Sequence, residues 1–394
     1  MLNALSLPLA PELGPWATPA DRTRVGFLRN NGREGPLDHD AAAKARVAES
    51  LAELLGLDYA GVVEAAVPSD RPLYLVPSDT LTSLEDARRL GIRGPEDFFG
   101  GVVPHAFVAT KLVSHPLVRP EADAPAGWCT DAEWRERIQG ATLPGWSVFT
   151  PADAREAARR LLVGGSLRLK DPAGVGGLGQ WVVHNLDELD THLLALGESR
   201  IARAGLVLER NLRRVVTHSV GQARVGPHLA SYHGTQVLTT NHRGVEVYGG
   251  STLRVVRGGF DALLEDAAED AVRRAVERAR VFHDAVMAAY PGTMASRCNY
   301  DIAEGVDDAG RAWCGVLEQS WRIGGASGAE IAALHALHRD PGLRRVRAST
   351  CETYIGPDTD TITLPPGAWL LYDGPDAHGG RLVKHVTVSR DVDA

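Results

Sequence analysis

With 394 residues, 44% of them hydrophobic and 23% charged, the chain is long enough for two or three domains, each with an ordinary buried core. Its formal net charge of −8 comes without a long basic patch, so nothing suggests a nucleic-acid partner, and no apolar run approaches the roughly 20 residues of a membrane span. Cys129, Cys298, Cys314 and Cys351 lie far apart without Cys-x-x-Cys spacing, and the N-terminal MLNALSLPLAPELGP lacks a basic start and a sustained apolar core; a soluble cytoplasmic protein with reduced thiols is expected.

After a proline-rich lead-in, RVGFL at 24–28 reads as a strand, and residues 40–57 read as a helix with Gly56 near its end. Segments 62–66 and 72–76 (PLYLV) read as strands and 83–90 as a second helix. FFGGVV at 98–103 and a helical piece over 106–115 follow. This alternation predicts a small open α/β domain over about the first 110 residues. Residues 116–140 form a connection with a helix inside it, and Thr150 caps an amphipathic helix in TPADAREAARRLL.

The segment 166–183, SLRLKDPAGVGGLGQWVV, carries the most information. An alternating strand ends in Lys170, a loop holds Gly174, Gly176, Gly177 and Gly179, and a second strand follows. Glycines let backbone N–H groups close around an anion, and Lys170 adds a positive charge beside them. A dinucleotide-binding turn needs a helix directly after the loop, whereas here the first helix start is Asn185 with Glu188 three residues on. No P-loop motif occurs. The reading is a phosphate-covering hairpin; an ordinary glycine-rich hairpin is the alternative.

Residues 205–256, dense in β-branched residues and glycine, predict an antiparallel sheet, and 260–290 predict one long helix with a core-facing stripe. Two strands, 298–304 and 312–319, complete the pattern before a β-rich tail beyond about 350. Asp301 lies mid-strand between apolar neighbours and Glu318 near the end of the next strand. Buried carboxylates are costly unless paired or metal-bound, and two on adjacent strands suit Mg²⁺, with Arg322 beyond to grip a phosphoryl group. An ion pair with Arg297 or Arg322 is the alternative. Tyr232, His233 and Gln236 either face an acceptor substrate or pack in the sheet. The triplet His338-Arg339-Asp340 lacks a kinase context, and the spacing of His335 and His338 lacks a third metal ligand.

Taken in order, these motifs resemble the ATP-grasp superfamily over roughly residues 100–335: Lys111 in FVATKLVSHPLV, Lys170, GVGGLG, Glu209 in LVLERNL, Asp301, and Glu318 in EQSWR. Within that superfamily the chain is similar to a bacterial family of no established activity. The resemblance implies an α/β (α+β) grasp fold with a pre-grasp α/β domain (1–110), a lid-bearing N-subdomain (111–204), a C-subdomain with hinge and metal site (205–345) and a short β-rich extension (346–394). It further implies that Lys111, Lys170 and the loop glycines contact phosphates. Residues 209–212, Glu209 and Leu212 included, would hold adenine, Asp301, Glu318 and Ser320 would hold Mg²⁺ or Mn²⁺, and Arg322 would lie near the γ-phosphate. Two departures stand out: Ser320 replaces the usual Asn, and Thr217 or His218 falls where a ribose-binding acid is usual. The implied activity is ATP-dependent ligation of a small carboxylate to an amine or thiol. A phosphotransferase and a nucleotide-binding module without turnover are the alternatives. A homo-oligomer is compatible with the sequence; no nucleic-acid or membrane partner is expected.

Overall fold

The computed structural model describes residues 21–30, 32, 37–64, 72–174, 179–356 and 362–390. The first unit is a three-stranded parallel sheet of order β2-β1-β3, with β1 at Arg24–Arg29, β2 at Asp58–Glu64 and β3 at Tyr74–Pro77. Helix α1 (His39–Leu55) connects β1 to β2. The Asp38 carboxylate accepts from the Ala41 N–H at its start, and Gly56 takes the left-handed φ of 69° that ends it. Helix α2 (Leu84–Arg89) and the short strand β4 (Gly101–Val102) follow. The single helical piece expected over 106–115 is instead two 3₁₀ turns, Ala106–Ala109 and Lys111–Ser114. Thr110 separates them, its hydroxyl donating to the Phe107 carbonyl and accepting from the Leu112 N–H.

After α3 (Ala132–Ala141) comes a four-stranded antiparallel sheet of order β5-β8-β6-β7, built from Gly145–Val148 (β5), Leu167–Lys170 (β6), Gln180–Val183 (β7) and Leu206–Arg210 (β8). Helices α4 (Pro151–Leu162) and α5 (Leu186–Leu196) close its core, and α6 (Glu198–Ala204) leads into β8. The expected caps form: Thr150 accepts from the Asp153 N–H and Asn185 from the Glu188 N–H.

The third unit is an eight-stranded antiparallel sheet of order β14-β13-β9-β10-β11-β15-β17-β16. In chain order its elements are β9 (Arg213–Val225), β10 (His228–Thr240), β11 (Glu246–Arg257), α7 (Phe260–Asp266) and α8 (Asp270–Ala289). Then come β12 (Met294–Ala295, paired with β4 outside the sheet), β13 (Arg297–Val306), β14 (Ala312–Ser320), α9 (Ser327–Arg339), β15 (Arg345–Ile355), β16 (Trp369–Pro375) and β17 (Arg381–Arg390). Strand alternation divides two cores: Val220 on β9 joins the one built around α8, Ala223 and Val225 the one around α9 and α1.

The helix expected over 260–290 is interrupted at 267–269, where the Arg273 guanidinium donates to the freed carbonyls of Leu264 and Ala267. The β-rich tail supplies the far edge of the large sheet. Among the described residues no helix is long and apolar enough to cross a membrane. The mixed α+β architecture expected from the sequence is the one observed.

Candidate active site

Lys170 ends β6, where its side chain is buried, and its Nζ lies 2.6 Å from Glu209 Oε1 on the neighbouring strand β8. Both side chains are at most 4% exposed. Two such charges together are tolerable where each would be costly alone. His115, fully buried, brings Nε2 to 3.7 Å from the other carboxylate oxygen, Oε2. Oε2 has no hydrogen-bond partner among the described residues. Burial, with Lys170 beside it, pushes the imidazole down to about 3, so the ring is neutral. Gly145 makes room for it: a Cβ there would lie 2.5 Å from the His115 ring and 2.6 Å from the Leu208 carbonyl.

Beyond Lys170 the chain turns through Asp171, whose N–H donates to the Gly179 carbonyl (2.8 Å) and whose carbonyl accepts from the Gly174 N–H (3.0 Å). Gly179 has the left-handed φ of 70°. Gly176 and Gly177 lie outside the described residues. Lys111 reaches this loop from the second 3₁₀ turn, its Nζ donating to the Gly174 carbonyl at 3.0 Å. The same Nζ lies 3.2 Å from Glu318 Oε2. One buried ammonium therefore ties the glycine loop to the acidic strand.

Asp301 and Glu318 are direct cross-strand partners on β13 and β14, with a bulge immediately after them. Asp301 Oδ1 accepts from Ser219 Oγ (3.1 Å), Gln236 Nε2 (3.2 Å) and Asn299 Nδ2 (3.1 Å). Burial and the Glu318 charge nevertheless push the Asp301 carboxyl up to about 6. Ser320 lies opposite Asn299, and its carbonyl accepts from Arg297 Nη1 at 3.0 Å. Arg297 also donates to the Arg322 carbonyl (2.7 Å) and forks onto Glu330 (Nη2 to Oε1 2.7 Å, Nε to Oε2 3.1 Å), both side chains buried. Tyr232 donates to the same Glu330 at 2.6 Å. Arg322 itself is half-exposed, with Nε 4.0 Å from Asp79 just past β3.

Lys111, Lys170, Gly174, Gly179, Glu209, Asp301 and Glu318 thus line one region between the two antiparallel sheets. Leu212 lines the adjoining cleft of about 230 Å³, with Leu143, Lys170, Glu209, Val215 and Leu317. Among the described residues no three His, Cys, Asp or Glu side chains gather as a metal-binding set. A pair of carboxylates on one rung still fits Mg²⁺, which takes one or two of them and completes its shell with water and phosphate oxygens.

The sequence reading overlooked His115 and Ser219, and it took Arg297 only as a possible ion-pair partner; the polar alternation Arg297-Asn299-Asp301 along β13 was the available signal. Of the remaining histidines, His335 Nε2 lies 2.9 Å from the Ser50 carbonyl, His338 packs on His228, and His218 lies 3.7 Å from Glu304.

No curated protein matches the sequence. Among solved structures the chain is similar to a phosphoribosylamine–glycine ligase from Thermotoga maritima (14% identity, 93% of this chain and 92% of that one, TM-score 0.47). It is also similar to a D-alanyl-alanine synthetase A from Vibrio cholerae (12%, 82% and 95%, 0.38) and a RimK domain ATP-grasp protein from Sphaerobacter thermophilus (15%, 79% and 98%, 0.39). Such distant likenesses bear on none of the residues above. Residues 27–386 match the family described as protein of unknown function (DUF3182), and the chain belongs to that family.

Proposed function

We propose that the protein is an ATP-grasp ligase, which uses Mg²⁺ and ATP to join a small carboxylate to an amine or thiol through an acyl phosphate. The observation that carries this reading is the position of Lys111, whose ammonium touches both the glycine loop at Gly174 and the acidic rung at Glu318. A phosphate-covering loop and a pair of carboxylates have no structural need of one another, whereas a metal-bound nucleotide needs both.

In this reading Lys111 and Lys170 turn from Glu318 and Glu209 to the nucleotide phosphates, beside the backbone of Gly174 and Gly179. Backbone groups of residues 209–212 hold the base in the cleft. Asp301 and Glu318 hold Mg²⁺, with Ser320 contributing through water; the ion, when bound, offsets charge on the phosphate oxygens. A substrate carboxylate oxygen attacks the γ-phosphorus, the bond to the β–γ bridging oxygen breaks, and ADP leaves with the electron pair. The amine or thiol then attacks the acyl carbon, the carbon–oxygen bond breaks, phosphate departs, and the nucleophile's proton passes to water. Arg322 steadies the transferred group. Positioning and electrostatics supply the rate, so no protein nucleophile is required.

A nucleotide-binding module without turnover is the second reading. The observation that favours it is the engagement of the Ser320 carbonyl by Arg297, with Ser320 Oγ 3.5 Å from the same nitrogen. Incubation with ATP, Mg²⁺ and a panel of carboxylates in hydroxylamine separates the two. ADP together with a hydroxamate supports the ligase. A stable phosphorylated product without hydroxamate indicates a phosphotransferase, and ATP binding with no ADP from any mixture indicates a binder.

A further inference from the structure

One row of residues runs across four strands of the large sheet. Tyr232 on β10, Gly221 on β9, Asn299 on β13 and Ser320 on β14 are successive cross-strand partners. The row two residues further along β13 carries Ser219, Asp301 and Glu318, so Asn299 and Asp301 share one face of that strand. Gly221 lets Tyr232 lean across β9, since a Cβ there would lie 2.3 Å from the Tyr232 hydroxyl oxygen. The hydroxyl thereby reaches Asn299 Oδ1 at 3.0 Å and Glu330 Oε1 at 2.6 Å. Asn299 is 8% exposed, and its amide nitrogen lies 3.1 Å from Asp301 Oδ1.

These contacts cannot all be hydrogen bonds at once. A tyrosine has one O–H proton. The Glu330 carboxylate is the nearer acceptor and the charged one, so the proton lies there. Asn299 Oδ1 then faces the Tyr232 oxygen at 3.0 Å with no proton between them. Turning the amide over lets Nδ2 donate to that oxygen instead. The amide oxygen then stands 3.1 Å from Asp301 Oδ1, again oxygen against oxygen. In either orientation the buried amide has one neighbour of the wrong kind, which is costly. Arg297 does not relieve it, being engaged by Glu330, the Ser320 and Arg322 carbonyls and, at 3.5 Å, the Tyr232 oxygen. A cation removes the conflict in the turned-over orientation. Two oxygens 3.1 Å apart match adjacent corners of an Mg²⁺ octahedron, which lie about 2.9 Å apart when each ligand stands at about 2.0–2.1 Å.

We propose that Asn299 is a third protein ligand of the metal, its amide turning over so that Oδ1 stands beside Asp301 and Glu318 while Nδ2 donates to Tyr232. This rests on the reading of the Asp301–Glu318 rung as the metal site of a nucleotide-using enzyme. Asp301 keeps Ser219 and Gln236 as donors when the amide turns. The neutral ligand thus comes from the cross-strand partner of Ser320, whose own hydroxyl oxygen lies 3.5 Å from Arg297 Nη1. An amide oxygen also adds a ligand to the rung without adding a third negative charge beside the two carboxylates.

Mn²⁺, which takes the same oxygen ligands and is paramagnetic, tests this on the full chain with and without a non-hydrolysable ATP analogue. With asparagine labelled at its side-chain carbonyl carbon, bound Mn²⁺ is expected to show a carbon hyperfine coupling by electron–nuclear double resonance. Asn299→Asp retains an oxygen at the same place, so it should keep or tighten Mn²⁺ binding and lose the coupling. Asn299→Leu, of similar size without the oxygen, should weaken Mn²⁺ at least about tenfold, the worth of one contact to a charged group, while retaining the wild-type melting transition. Bound Mn²⁺ without the coupling, a coupling that survives in Asn299→Asp, unchanged affinity in folded Asn299→Leu, or no Mn²⁺ binding in either condition overturns the proposal. Should Asn299→Leu not fold, the wild-type and Asn299→Asp spectra still decide. Failure of the ATP analogue to bind while the coupling appears overturns the ligase reading instead and leaves Asn299 as a ligand.

Discussion

Lys170 Nζ and Glu209 Oε1 lie 2.6 Å apart, with both side chains buried and the second carboxylate oxygen facing a neutral His115. Removing one member leaves the other charged in a dry site. Lys170→Met is therefore expected to cost about 3–5 kcal/mol of stability. Lys170→Met/Glu209→Leu should regain much of it, because the unpaired carboxylate goes too. Chemical denaturation of the two variants distinguishes these outcomes, and equal loss in both would show that the lysine acts through packing alone.

The Lys111–Glu318 contact is a different case, since Glu318 is 42% exposed. Such a pair contributes about 0–1 kcal/mol. Glu318→Gln should leave the melting temperature nearly unchanged while weakening Mg²⁺-dependent nucleotide binding at least about tenfold, the worth of one charge-assisted contact. Thermal melting beside calorimetry measures both, and a large drop in melting temperature would contradict the weak pairing.

Asp301 gives the pH dependence. Its folded carboxyl titrates near about 6, above its ordinary range, because burial and Glu318 disfavour the ionised form. The folded state then binds the proton more tightly than the unfolded state does. This contribution to stability is fully present below about pH 4 and is lost as pH rises through about 6. Metal binding needs the ionised form, so Mg²⁺–nucleotide affinity should rise across the same window. Titration of affinity from pH 5 to 7.5 checks this, and Asp301→Asn should flatten the profile.

Arg297 spans three elements, bonding Glu330 on α9 and the carbonyls of Ser320 and Arg322. Arg297→Met is expected to cost about 3–5 kcal/mol, as expected for one half of a buried ion pair. Arg297→Lys should rescue little of it, because an ammonium cannot fork onto Glu330 while holding two carbonyls. Denaturation midpoints of both variants test this.

What was legible in the sequence was local. The 166–183 hairpin, the Thr150 and Asn185 caps and the adjacent strands bearing Asp301 and Glu318 follow from spacing and from residues that terminate elements. What was hidden depends on distant partners. His115 has meaning only against Glu209 and Gly145, and Arg297 only against Glu330 and the turn after Ser320. The break at 267–269 depends on Arg273 satisfying freed carbonyls in a helical pattern that is otherwise continuous. The tail read as strands, but its place at the edge of the large sheet rests on the pairing of β15 with β11.

The measurement that bears most directly on the central claim is calorimetry of ATP binding with and without Mg²⁺, on the wild-type chain, Glu318→Gln and Lys170→Met/Glu209→Leu. The account predicts Mg²⁺-dependent binding by the wild type that Glu318→Gln weakens at least about tenfold and that the double variant loses while remaining folded. A folded wild-type chain that binds no ATP in Mg²⁺, or one that binds equally well without the metal and in both variants, would contradict it.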